Sequence, residues 1–119
     1  MTMINGRRHK LIMEKIVKNN EEQTEMLKKI TNTFGIDTEL CKLSEEIGEL
    51  LGECYKALYT EQTLEIQHKI EDEFADVMVL MSQIGIYFDL DSNQINNIFD
   101  YKVKRTVDRI DEGWYEKHR

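Results

Sequence analysis

The sequence contains no proline, and its 119 residues include only six glycines, two cysteines and one tryptophan. A β-rich chain with many tight turns would need more proline and glycine, so an all-β fold is excluded. Two cysteines cannot frame a disulfide scaffold. Cys41 and Cys54 fall on one expected helix, roughly 20 Å apart along its axis, and so cannot bridge each other. No apolar run approaches the roughly 18 residues of a spanning helix, which predicts no membrane integration. Arg7, Arg8 and Lys10 precede an apolar stretch too short for a secretory signal, so a cytoplasmic location is expected. Basic excess is also missing. The net charge is −7 and the pI about 5.0, which argues against non-specific nucleic-acid binding. A phosphate substrate then requires a metal ion as intermediary.

What is present is helical periodicity nearly throughout. Hydrophobic residues make up 40% and charged residues 33%, in one continuous domain without repeats or low-complexity segments. The spacing predicts an all-α fold with four main helices, residues 21–119, after a helical extension over residues 1–20. Within the extension, Leu11, Ile12, Ile16 and Val17 form a narrow apolar face, and Asn19-Asn20 breaks it. The first helix runs from Glu21 to about Thr33, with Gly35 as its C-cap. Asp37 or Thr38 should cap the second, about 38–59. The third covers about 64–88 after a cap at Thr63. The fourth, about 92–111, opens on a box-like Asp91 and Gln94. Leu40, Leu43, Ile47, Leu50, Cys54 and Ala57 form a bundle seam on the second helix. On the third, residues 77–81 (VMVLM) are apolar around the whole circumference, which points to burial on all sides and hence to a homo-oligomer interface. A central helix shielded by the extension is the alternative.

The acidic residues are patterned. Glu45, Glu46 and Glu49 form E-E-x-x-E on the second helix, and Glu73 with Asp76 forms E-x-x-D on the third. At 100° per residue, Glu46 and Glu49 fall at about 300° and 240° from Leu43. Glu73 and Asp76 fall at about 300° and 240° from Ile70. Each pair flanks its apolar seam on the same rotational side. Antiparallel packing of the two helices is an approximate two-fold operation, which brings equal flanks together. Four carboxylates should therefore converge. They repel one another unless a cation sits among them. Oxygen-only donors favour a hard ion, Mg²⁺ or Mn²⁺. Glu45 lies farther from the seam, with three readings open: a second ion, a water, or solvent. Glu53 extends the flank by one turn and reads mainly as a surface charge. On the fourth helix Lys102, Arg105 and Arg109 form a basic stripe suited to phosphate oxygens or to salt bridges. Glu65 and His68 supply one E-x-x-H, but on the wrong side of the seam for a di-iron bundle.

These motifs, with "KLSEEIGELLGE" and "EDEFADVMVLMSQIGIYFDLD" around them, resemble the MazG-like all-α nucleoside triphosphate pyrophosphatases over about Met26 to Arg109. The resemblance implies a four-helix bundle of the MazG-like type that forms homodimers or homotetramers. It also implies Mg²⁺-dependent cleavage of a nucleoside triphosphate to monophosphate and pyrophosphate. By position, Glu46, Glu49, Glu73 and Asp76 would be metal ligands, with Glu45 a further ligand or water-orienting base and Glu49 also catalytic. Lys102 and Arg109 match the basic positions of the family's K-x-x-x-N-x-x-R segment, while Thr106 replaces its Asn. Dimeric dUTPases and phosphoribosyl-ATP pyrophosphatases resemble the same scaffold. A binding or regulatory module without turnover is the non-enzymatic alternative. Phe34, Tyr55, Tyr101 and Trp114 are unranked candidates for stacking on a base.

Overall fold

The structure is a computed structural model that describes residues 19–118. Among the described residues five helices follow one another: α1 (Glu21–Phe34), α2 (Ile36–Tyr59), α3 (Leu64–Tyr87), α4 (Ser92–Asp111) and α5 (Trp114–Lys117). Among the described residues there is no strand. The all-α reading therefore holds. The face expected over residues 1–18 lies outside the described residues.

Local chemistry sets the helix ends. Asn20, expected only as a breaker, caps α1 through a full capping box. Its Oδ1 accepts the Gln23 backbone N–H at 2.7 Å, and Gln23 Oε1 accepts the Asn20 N–H at 3.4 Å. Gly35 ends α1 as expected, but it also starts α2. Its φ of 88° and ψ of 145° suit a residue without Cβ, so a single residue separates the two helices. The expected caps at Asp37 and Thr38 are not used. Both residues lie inside α2, where Asp37 instead sets negative charge against the first turn. Thr63 caps α3 by accepting the Ile66 N–H at 3.2 Å. Asp91 caps α4 by accepting the N–H groups of Asn93 and Gln94.

The described residues fall into two compact units that divide between Asp89 and Leu90. In the first, α1, α2 and α3 all pack on one another. Residues 60–63 alone connect α2 to α3, so these two long helices lie antiparallel. In the second, Gly113 adopts a φ of 71° and turns the chain so that α5 folds back on α4. The Arg109 guanidinium then lies 4.7 Å from the Trp114 ring centroid, and His118 stacks on the same indole at 4.0 Å.

The centre of the first unit is smaller and more polar than the seams suggest. Leu27 and Leu80 are its buried apolar side chains, and Thr31, Glu39, Ser82 and Gln83 are buried beside them. Of the apolar stretch 77–81, Leu80 is buried while Val79 and Met81 remain 44% and 47% exposed. In the second-helix seam, Leu40 and Ile47 are about as open. Thr31 Oγ1 donates to the Leu27 carbonyl at 3.0 Å and accepts the Gln83 side-chain amide at 3.0 Å. That chain of bonds pins α3 to α1.

Thr31→Val is nearly isosteric but leaves the Gln83 amide without its acceptor. Urea unfolding should show a loss of about 1–3 kcal/mol. Thr31→Val combined with Gln83→Leu should recover part of that loss, since no polar group is then stranded. A double variant worse than the sum of the singles would contradict this account of the contact.

Candidate metal centre

Two antiparallel helices present the acidic groups. Glu46 and Glu49 are one turn apart on α2, and Glu73 and Asp76 one turn apart on α3. Carboxylate oxygens of Glu46, Glu49 and Glu73 all lie within 4.8 Å of one another. Glu46 and Glu73 are half-buried, whereas Glu49 stands exposed at the rim. A second triplet of equal spread joins Glu73 to Asp72 and Asp76. Glu73 thus sits at the junction of the two groups. The wheel places Asp76 beside Glu46 and Glu49. In the structure it shares a cleft with Glu46, but its close oxygen partners are Asp72 and Glu73. Asp72 was missed as a site residue. Its signal was present, since at about 200° from Ile70 it lies only about 40° beyond Asp76.

The electrostatics are those of crowded like charges. Desolvation, above all, pushes the Glu73 carboxyl from its ordinary 4.5 up to about 7, and the neighbouring Glu46 and Glu49 add to the rise. Glu46 is raised as well, again chiefly by desolvation. Its contact with Glu73 works the other way, while the charges of Glu49 and Asp76 raise it further. The two carboxyls behave as a pair that retains a proton near neutral pH. Glu46 Oε2 and Glu73 Oε2 are buried and have no hydrogen-bond partner. Buried acceptors without a donor are unfavourable, and a cation satisfies both at once.

The donor set fits a hard divalent ion. At metal–oxygen distances of about 2.0–2.1 Å, two oxygens on one Mg²⁺ are at most about 4.2 Å apart. The oxygens of each triplet lie within 4.8 Å of one another, close to that spacing. Glu46, Glu49 and Glu73 would hold such an ion, with Asp76 and Asp72 on its α3 side. No His or Cys takes part in either triplet, which disfavours zinc.

The other expected residues are placed as follows. Glu45 is exposed on α2 and belongs to neither triplet. Glu53 is not a plain surface charge. Its side chain is 16% exposed, it pairs with Lys56 at 3.1 Å, and its Oε2 is buried without a partner. Lys102, Arg105 and Arg109 lie on α4 in the second unit. There Lys102 is exposed, Arg105 sits over the Tyr101 ring at 5.6 Å, and Arg109 rests on Trp114. Glu65 pairs with Lys69 at the surface, and the exposed His68 Nδ1 lies 3.2 Å from Glu71 Oε1, as a surface motif should. Cys41 and Cys54 are both free thiols.

Beside the carboxylates a cleft of about 280 Å³ lies among α1, α2 and α3. Glu46 and Asp76 form part of its wall, together with Ile30, Glu39, Leu80 and Gln83. None of Phe34, Tyr55, Tyr101 or Trp114 lines it. Glu39 and Gln83 were not foreseen as site residues, because a lone Glu and a lone Gln carry no motif.

No family model matches the chain, and neither does any curated protein or solved structure.

The raised carboxyls make a pH prediction with a definite sign. A folded-state value for Glu73 above the unfolded one means that the folded protein binds more protons between about pH 4.5 and 7. Metal-free stability contributed by this group is therefore intact below about 4.5 and falls as pH rises through about 7. Protons compete with the ion, so Mg²⁺ should raise the melting temperature far more at pH 8 than at pH 5.5. Thermal melts at both pH values, with Mg²⁺ and with EDTA, measure this. An equal Mg²⁺ effect at the two pH values would exclude Glu46 and Glu73 as ligands.

Proposed function

We propose that the chain is a Mg²⁺-dependent nucleoside triphosphate pyrophosphohydrolase of the MazG-like type. The observation that carries the reading is the convergence of Glu46, Glu49 and Glu73 from two helices, with two buried carboxylate oxygens left without partners. The cleft beside Glu46 and Asp76 supports it further, since it offers space for a ligand next to those acids. When bound, the ion would supply charge neutralisation for the triphosphate and a lowered pKa for the attacking water. Glu46 and Glu73, the half-buried members of the set, would hold that ion together with Glu49. Glu49, exposed at the rim, or Glu45 beside it takes the proton from the attacking water. The water oxygen bonds to the α-phosphorus as the bond to the bridging oxygen breaks, and pyrophosphate departs. Lys102 and Arg109 on the resemblance, and Arg105 on the basic stripe it shares with them, are assigned to phosphate oxygens. Mn²⁺ should substitute for Mg²⁺, because the same oxygen donors suit both.

The oligomer belongs to the same proposal. On α2, Leu51, Tyr55 and Leu58 form a stripe at helical spacing and are 50%, 57% and 69% exposed. On α3, Val79 and Met81 are also open. Such surface is stabilised by burial against a second copy of the chain, in a homodimer or homotetramer that completes the bundle. Among the described residues no helix is long and apolar enough to cross a membrane.

Pyrophosphate release should be measured over the eight common ribo- and deoxyribonucleoside triphosphates, with and without Mg²⁺. Release from at least one, strictly dependent on the ion, is expected. Glu49→Ala and Asp76→Ala should each lower kcat/KM by roughly 10²-fold or more, with helicity by circular dichroism unchanged. No release from any triphosphate would favour a non-catalytic nucleotide-binding or regulatory module. Sedimentation equilibrium should show a dimer or tetramer, and a monomer at high micromolar concentration would refute the assembly.

A further inference from the structure

The cleft contains two buried polar groups that the metal chemistry does not use. Gln83 is 1% exposed and Glu39 3%. Thr31 fixes how the Gln83 amide faces. The Thr31 hydroxyl gives its proton to the Leu27 carbonyl, so the group facing Thr31 Oγ1 must be a donor, the Gln83 NH₂. The Gln83 carbonyl Oε1 is thereby turned elsewhere, and it is buried with no partner. Glu39 adds a second acceptor to the same cleft, whose wall also carries Lys42 one turn along α2 toward Glu46. Ile30, Val79 and Leu80 supply apolar lining.

Position along the helices relates these groups to the acids. Glu39 precedes Glu46 on α2 by about two turns, or roughly 10 Å at 1.5 Å per residue. Gln83 follows Asp76 on α3 by the same distance. Because α2 and α3 are antiparallel, both displacements run in the same direction. The cleft therefore has a carboxylate end suited to a metal-bound phosphate chain and, farther on, an end with two buried acceptors between apolar side chains.

We infer that Glu39 and Gln83 are specificity-determining residues that select a nucleobase bearing an exocyclic amino group, as in cytosine, adenine or guanine, over uracil and thymine. The inference rests on the pyrophosphohydrolase reading for what occupies the carboxylate end. Buried acceptors call for donors, and an unmade bond there is unfavourable. Cytosine and adenine present an amino group at C4 or C6, and guanine presents one at C2. Uracil and thymine present one N3–H between two carbonyl oxygens, so serving one acceptor with it leaves a carbonyl oxygen facing the other. The apolar walls suit the faces of a flat ring.

Nucleosides test this without phosphate, metal or turnover. The full-length ¹⁵N-labelled protein is titrated with deoxycytidine, deoxyadenosine, deoxyguanosine, deoxyuridine and thymidine in EDTA. The Gln83 side-chain amide resonance, assigned by its loss in Gln83→Met, should shift with at least one amino-bearing nucleoside. That nucleoside should bind about tenfold or more tightly than thymidine. Gln83→Met should remove most of the preference and leave thymidine binding within about twofold. Glu39→Gln replaces one acceptor oxygen by a donor, so it should narrow or reverse the preference. A purely structural role for either residue would weaken all five nucleosides equally. An unmoved Gln83 resonance, equal affinity for all five, or equal losses in the variants would each overturn the inference. Triphosphate cleavage with no such selectivity refutes the base-reading role and leaves the reaction standing. Selective nucleoside binding without pyrophosphate release does the reverse.

Discussion

Mutual repulsion among carboxylates is the constraint around which the first unit is arranged. Helices α2 and α3 bring Glu46, Glu49 and Glu73 within 4.8 Å, and Asp72 and Asp76 crowd Glu73 from the other side. In water such groups would separate. Here the antiparallel pairing of two long helices holds them together, and desolvation forces part of the charge off as bound protons. The metal-free fold is therefore under tension that the proposed divalent cation would relieve. Stability, pH response and the proposed catalysis share this one cause.

The rest of the unit is consistent with that arrangement. Its apolar core is slight, and α1 is secured to α3 in part by the bonds among Leu27, Thr31 and Gln83. Those same bonds leave the carbonyl of Gln83, a residue of the cleft wall, without a partner. A contact that stabilises the fold thus also sets the polarity of the proposed binding site. The wide apolar exposure on α2 and α3 is the surface that the proposed assembly would cover.

The helices were legible because their apolar period is clear and proline is absent. The convergence of Glu46, Glu49 and Glu73 was legible for a related reason: on a regular helix, rotation follows directly from residue number. The wheel was less sharp for Asp76, because it ignores where along the axis each side chain reaches. Asp72 fell just outside the chosen sector for the same cause. The Gly35 junction and the Asn20 box depend on backbone conformation at one or two residues, below the resolution of a periodicity argument. Glu39, Thr31 and Gln83 were invisible. Their roles come from contact between residues distant in sequence, and polar side chains facing a core resemble any other polar residue until the fold is known. Of the four expected bundle helices, α1, α2 and α3 pack on one another, and α4 belongs to the second unit.

The central claim is that α2 and α3 together form a cation site. Anomalous diffraction at the manganese edge, from crystals grown at about pH 8 with Mn²⁺, measures it most directly. The account predicts a peak bounded by the carboxylates of Glu46, Glu49 and Glu73. Density for ordered, splayed carboxylates with no peak among them at saturating Mn²⁺ would contradict it.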